Sequence, residues 1–415
     1  MKMRITLLEI ISGRRKGVMA GITKTGLSVL SHFYGLVVMM RNWRFDRIGI
    51  PDIQCRNSKK GLIKRASIPV ISVGNLTTGG TGKTPLVIWL AEKLVESQLK
   101  PIIISRGYKA LGNSKQNLQS NISGQEITGL NDEALEIEQR LPQVPHLQSP
   151  NRFQSIQSGT QQFDAEVAIL DDGFQHRQLY RDLDWVLIDS TNPFGFDRLL
   201  PRGLLREPIA GLGRADAIIL TRCELRATNR KDEMLKKIRL MAPKVPIAQV
   251  AVEPSQWLAD RGQRLPLGDL TSQKLMAVCG IGNPDGFLAT LALAGFQICQ
   301  TQVFPDHHRF DQSDLMAIQQ LALLSHVDAI VCTHKDWVKL QPLQQQIASF
   351  SSDKIAGSLP VASGRTDIAD RSFPSIKNEA GLPQCIPLYA LMTQLKWIEN
   401  EHVLIDQVSH LMEMR

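Results

Sequence analysis

The sequence predicts an α/β protein: a parallel-sheet domain, a second, smaller α/β domain, and a helix at the membrane interface ahead of both. Three observations carry that reading. Residues 68–98 run strand, glycine-rich loop, helix. Short apolar runs then recur between helical stretches as far as 220, as β-α-β units require. After a polar stretch, the same alternation restarts at Lys274.

The first element is the most informative. Ile68 to Val73 is a β-branched run, and Leu86 to Leu94 has the apolar spacing of a helix, with Pro85 suited to a first helical turn. Between them lie Thr77, Thr78, Gly79, Gly80, Thr81, Gly82, Lys83 and Thr84. A glycine-rich loop closed by Lys-Thr at a helix start is a phosphate-binding P-loop, whose amides and helix N-terminus hold a polyphosphate. Lys83 is placed to reach the β- and γ-phosphates of ATP, and the Thr84 hydroxyl to bind Mg²⁺. The usual spacing has a glycine where this chain has Thr77; Gly79, Gly80 and Gly82 supply the freedom instead. The first α/β domain is therefore P-loop NTPase-like.

A chain of 415 residues with 43% hydrophobic residues is long enough for two cored domains. Six scattered cysteines without a C-x-x-C pair argue against a disulfide framework or a zinc site. The net charge of +8 is unevenly spread: residues 1–66 hold 14 Lys/Arg and three acids, a local excess of 11, so the rest is net negative. The basic segment points to an anionic partner, a membrane surface or a nucleic acid.

Composition within that segment favours the membrane. Thr25 to Met40 carries no formal charge, Lys24 precedes it, and Arg41, Arg44 and Arg47 follow. The run is shorter than the roughly 20 residues of a spanning helix, and Phe33, Tyr34 and Trp43 suit headgroup depth. It reads as a helix lying in the interface with its basic flank on anionic lipid; the bland alternative is a core helix packed on the body. No small-residue cleavage site follows, so it is not a signal peptide.

Next come a strand at Pro101–Ile104, a polar loop over 111–129, and a helix opened by Asn131-Asp132-Glu133. Residues 142–150 contain three prolines and no clear period. Val167 to Leu170 followed by Asp171-Asp172-Gly173 has the pattern of a Walker B strand, whose carboxylate helps to hold Mg²⁺. Strands follow at Trp185–Ile188 and Ala217–Leu220, with a short strand-like run at Ile247–Val252. The later domain has a strand at Leu275–Cys279, a Gly-Ile-Gly turn, a helix near 285–294 and a strand at Ala329–Cys332. The division this predicts is 1–50 membrane-associated, 51–245 kinase, 246–272 linker and 273–415 second domain, with an exposed insertion at about 341–384.

Several residues are placed for phosphoryl transfer, which needs a phosphate cradle, a held metal and a group to deprotonate the acceptor. Adjacent side chains in a strand point to opposite faces, so one of Asp171 and Asp172 is expected on Mg²⁺ unless the chain bends. Asp132-Glu133 at a helix start is a candidate base, although helix starts favour carboxylates in any case. Phe304-Pro305-Asp306-His307-His308 is a second candidate, since a carboxylate can fix a histidine tautomer. Arg177, Arg181, Arg198, Arg202 and Arg206 offer guanidinium forks for phosphate, or simply a solvated face.

Together these stretches resemble the tetraacyldisaccharide 4'-kinase (lipid A 4'-kinase) family. The resemblance lies in Val73 to Pro85, Ser105-Arg106-Gly107-Tyr108, Asp171 to Arg177, Leu200 to Pro208, Cys279 to Pro284 and Phe304 to His308, in the family's order. It implies transfer of the γ-phosphate of ATP, with Mg²⁺, to the 4'-hydroxyl of tetraacyldisaccharide 1-phosphate, giving lipid IVA. It implies attachment to the cytoplasmic face of the inner membrane through the N-terminal helix, an acylated-disaccharide substrate, no nucleic acid and no obligate protein partner. Carried over by motif, Asp132 is the catalytic aspartate, His307 (favoured over His308) its partner, and Asp171 and Asp172 the acidic pair. Asn75, Arg106, Tyr108, Arg206 and Glu207 are the implied substrate contacts. The chain departs from the family at Asn131 and Ala134 beside Asp132, and at His334 within Thr333-His334-Lys335-Asp336. A soluble P-loop kinase would differ in lacking lipid dependence, and a nucleotide switch in binding without fast transfer.

Overall fold

The computed structural model describes residues 9–48, 63–107, 132–225, 228–306, 308–356 and 385–414. The chain forms two compact units, Met1–Glu253 with Thr393–Arg415, and Pro254–Met392.

After a short helical segment at 9–12, the first unit has helix α1, Val18–Ile48. Its sheet contains β1 (Val70–Asn75), β2 (Pro101–Ser105), β3 (His146–Gln148), β4 (Val167–Asp171), β5 (Leu183–Asp189), β6 (Ala217–Thr221) and the start of β7 (Ile247–Leu258). Their order is β7-β6-β5-β1-β4-β2-β3, and every pairing in it is parallel. Parallel strands need crossovers, supplied by α2 (Lys83–Glu96), α3 (Asp132–Arg140), α4 (Arg152–Phe163) and α5 (Thr228–Met241). The strands are apolar on both faces because both are covered. Leu86, Leu90 and Leu94 of α2 pack with Ile71, Val73, Ile169 and Trp185 in one core. Phe174, Phe194, Leu212, Met234 and Ile238 pack with Val186, Ile188, Ile218 and Leu220 in another. Residues 142–150, which lack a sequence period, contribute the three-residue edge strand β3.

The second unit pairs β9 (Lys274–Cys279), β10 (Gln297–Val303), β11 (Ala329–Thr333) and the start of β12 (Leu388–Glu399) in the parallel order β10-β9-β11-β12. The two-residue β8 (Arg264–Leu265) lies antiparallel on the end of β7. Helices α6 (Pro284–Leu293), α7 (Gln312–Leu324) and α8 (His334–Ala356) join the strands. Trp257, Leu275, Leu291, Phe296 and Val331 form its core.

Two boundaries differ from the sequence division. The expected linker at 246–272 begins inside β7, a 12-residue strand that runs past the unit boundary. The last residues, expected in the second domain, return to the first unit, where α9 (Glu401–Glu413) buries Leu404 completely in the α2-side core. Trp397, Val408, Leu411 and Met412 pack there too. Part of the expected insertion, from 341 to 356, continues α8; the rest lies outside the described residues.

Candidate functional site

In a doubly wound sheet the carboxyl ends of adjacent strands open onto a common crevice. Here β1 ends at Asn75, β4 at Asp171, β5 at Asp189 and β6 at Thr221, and the polar side chains of the first unit converge there.

The loop after β1 is held along its length. Asn75 is fully buried, and its Nδ2 donates to Thr81 Oγ1 at 3.0 Å. Thr78 N donates to Leu204 O at 2.8 Å, and Thr77 bridges to Leu205. Thr221 Oγ1 donates to Thr81 O at 2.9 Å, and Arg222 Nη1 to Gly80 O, also at 2.9 Å. Arg222 is itself paired with Asp189. Gly79 and Gly82 take φ values of 119° and 86°, a region that favours glycine. A Cβ added at Gly79 or Gly80 would meet nothing within 4 Å. The loop is thus a rigid cradle, open on one side, leading into a 14-residue helix whose first residue is Lys83.

Lys83 Nζ lies 3.5 Å from Asp172 Oδ1. Arg206 Nη1 donates to both Asp172 oxygens at 2.8 Å. Arg152, buried at the start of α4, donates to the Asp172 carbonyl at 3.1 Å. Burial alone would raise the Asp172 pKa, but Lys83, Arg206 and Arg152 outweigh it and hold the carboxyl far below its ordinary value. Asp171 closes β4 and is buried, whereas Asp172 takes φ 54° and turns the chain, so the two acids are no longer successive strand positions. Gly74 has a similar steric reason: a Cβ there would sit 2.6 Å from Phe174 Cβ.

The neighbouring histidines are kept uncharged. Burial, then Arg152, Arg181 and Arg106, lower the His176 pKa to about 4, which also places Arg106 near this cluster. His146 is buried with its Nε2 2.8 Å from Ser105 Oγ, and burial lowers it to about 4 as well.

The positions expected to contact substrate divide. Arg206 faces the cluster and Arg106 is exposed beside it. Asn75 and Glu207 are both fully buried. Glu207 accepts from Arg214 Nη2 at 2.7 Å, Gln175 Nε2 at 2.9 Å and Asn42 Nδ2 at 3.2 Å, which leaves its carboxylate enclosed by the protein. Asp132 is the first residue of α3. Tyr108 and His307 lie outside the described residues. Arg152 and Arg222 were missed by the sequence reading; the signal for Arg152 was an arginine in a helix's first turn, where the dipole disfavours it.

Mg²⁺ binds through one or two carboxylates, a hydroxyl and substrate phosphates rather than in an all-protein cage. Thr84, Asp171 and Asp172 carry hard-oxygen donors of that kind. Among the described residues no group of three or more His, Cys, Asp or Glu could hold a metal ion. The cradle, the clustered cations and these donors fit ATP with Mg²⁺.

In the second unit, the corresponding strand ends carry a different cluster. Asp336, fully buried, accepts from Gly280 N at 3.0 Å and Thr333 Oγ1 at 2.7 Å, with Lys339 Nζ 3.6 Å away. Lys335 lies 3.7 Å from Asp306. The His308 ring meets Asp314 Oδ2 at 2.7 Å and stacks on Phe304.

Fold and site together define a P-loop nucleotide-binding α/β protein equipped for phosphoryl transfer. The chain belongs to the tetraacyldisaccharide 4'-kinase family: the family model Tetraacyldisaccharide-1-P 4'-kinase matches residues 23–362. Tetraacyldisaccharide 4'-kinase of Syntrophus aciditrophicus is 37% identical over 77% of this chain and 85% of its own length. That of Halothermothrix orenii is 33% identical over 81% and 88%. The solved structure of LpxK from Aquifex aeolicus in complex with ATP superposes with a TM-score of 0.62, covering 94% of this chain and 99% of its own at 24% identity, a likeness of fold.

Proposed function

We propose that this chain transfers the γ-phosphate of ATP to the 4'-hydroxyl of tetraacyldisaccharide 1-phosphate, forming lipid IVA in lipid A biosynthesis. The observation that carries the chemistry is the meeting of Lys83, Arg206 and Asp172 at the mouth of an open glycine cradle; family membership carries the acceptor. The loop amides and Lys83 bind the β- and γ-phosphates. Thr84 with Asp171 and Asp172 would hold Mg²⁺, which supplies charge neutralisation on those phosphates. The 4'-oxygen attacks the γ-phosphorus, the bond to the β–γ bridging oxygen breaks, and ADP leaves. Asp132 takes the hydroxyl proton.

The acceptor's acyl chains require work at a surface, and α1 is suited to it. No helix among the described residues is long and apolar enough to cross a membrane. Instead α1 exposes Val18, Ile22, Val29, Phe33, Val37 and Met40 to solvent, flanked by Lys24, Arg41 and Arg44. An apolar face with basic flanks binds in the plane of an anionic interface, here the cytoplasmic face of the inner membrane.

Product mapping tests the reaction. With ATP and tetraacyldisaccharide 1-phosphate in micelles, ³¹P NMR is expected to give a new phosphomonoester on the 4'-oxygen; phosphate at any other position would refute the assignment. Sedimentation with phosphatidylglycerol-containing vesicles tests the helix: Phe33→Asp with Val37→Asp is expected to abolish binding, and full binding would refute it.

A further inference from the structure

We infer that Tyr34 is a positioning residue for phosphoryl transfer, tying the lipid-facing helix α1 to the Arg206–Asp172–Lys83 cluster through the main chain of Arg206. The inference rests on the kinase and membrane readings above and adds a link between them.

The helix turns two faces. Phe33, Val37 and Met40, at 64%, 67% and 70% exposure, lie on the outer one. The inner one is hydrogen-bonded to the segments that border the phosphate site. Ser31 Oγ donates to Leu199 O at 2.9 Å, Tyr34 Oη to Arg206 O at 2.7 Å, and Asn42 Nδ2 to Glu207 Oε2 at 3.2 Å. Arg177, five residues beyond Asp172, donates to Asn42 O at 3.0 Å and Asp46 Oδ1 at 2.6 Å. The packing is tight: a Cβ at Gly35 would fall 2.9 Å from Leu199 Cδ1.

Tyr34 acts at the point of greatest leverage. The Arg206 amide donates to Leu76 O at 2.8 Å, so that residue is stitched to the strand leading into the cradle. Its carbonyl is fixed from the other side by the Tyr34 hydroxyl. Burial raises the Tyr34 pKa, which keeps the hydroxyl a donor at neutral pH. With both ends of Arg206 held, its guanidinium is aimed at Asp172 and, through it, at Lys83. Catalytic groups misplaced by about 1 Å can lose up to about 10²-fold in rate, so one hydroxyl at this place has consequences that an ordinary surface hydrogen bond lacks. The arrangement is Tyr34 to Arg206 to Asp172, joining the face on lipid to the face on phosphate.

The test uses full-length protein with Tyr34→Phe, which removes only the hydroxyl, and Ser31→Ala, which removes a neighbouring helix contact that does not touch Arg206. Transfer to tetraacyldisaccharide 1-phosphate, ATP affinity, and sedimentation with phosphatidylethanolamine–phosphatidylglycerol vesicles are measured for each. Tyr34→Phe is expected to lower kcat roughly tenfold with KM for lipid, ATP affinity and vesicle binding preserved; Ser31→Ala is expected to preserve all four. An undiminished kcat in Tyr34→Phe, an equal fall in Ser31→Ala, or a loss of vesicle binding in Tyr34→Phe would overturn the inference. A wild type that never phosphorylates the lipid would overturn the kinase reading and the inference with it, so the two failures are separable.

Discussion

The two units gather polar groups at the carboxyl ends of parallel strands, but they use them differently. In the first, Asp172 is partly buried in a cation cluster beside Lys83 and Arg206, next to a loop whose Gly79 and Gly80 front open space. In the second, Asp336 is fully buried and committed to Gly280 N and Thr333 Oγ1. One carboxylate is held by the side chains of Lys83 and Arg206, groups that a polyphosphate can also engage; the other is bonded to the backbone of a turn. A carboxylate beyond a strand end thus meets side-chain cations in one unit and a backbone amide in the other.

The largest expected effect lies in the first unit. Lys83→Ala should cut kcat/KM for transfer by about 10³-fold while leaving the thermal midpoint unchanged, read by lipid phosphorylation beside calorimetry. Asp172→Asn should lower kcat by about 10²-fold and raise the Mg²⁺ concentration needed for half-maximal rate, read by metal titration. A normal rate in either variant would remove the first unit's claim to the chemistry.

A smaller effect belongs to the buried His146. The His146 pKa falls from 6.5 unfolded to about 4 folded. Below pH 6.5 the unfolded chain binds a proton that the folded chain refuses, so stability falls as pH drops from about 6.5 to about 4 and this contribution levels off below that. Between pH 7 and pH 5 the loss is about 2 kcal/mol. Urea unfolding at those two pH values should show His146→Gln with a flatter dependence than wild type; an identical slope would contradict the assignment.

A stability effect of similar size is expected in the second unit. Asp336→Asn should destabilise by about 1–3 kcal/mol, because it weakens the bonds to Gly280 N and Thr333 Oγ1, and it should spare ATP affinity. Lost ATP binding with unchanged stability would break the contrast between the units.

What could be read in the sequence was what is local. The cradle, the helix after it and the acidic strand end are contiguous patterns whose spacing mirrors their geometry. Glu207 and Asn75 could not be placed, because their burial depends on Arg214, Gln175, Asn42 and Thr81 arriving from elsewhere. For Asp171 and Asp172 the sequence leaves open whether the chain stays extended or bends at the strand end, and the left-handed φ of Asp172 gives the bend. The return of α9 to the first unit was missed because an amphipathic helix announces that it packs, not against what. Arg222 carries no local motif, because its contact with Gly80 O depends on β6 lying beside the loop.

The most direct test of the central claim is transfer of labelled γ-phosphate from ATP to tetraacyldisaccharide 1-phosphate in detergent micelles, wild type beside Lys83→Ala. The account predicts labelled bis-phosphorylated lipid with wild type and almost none with the variant. Labelled lipid formed equally by both, or by neither while wild type still binds ATP, would contradict it.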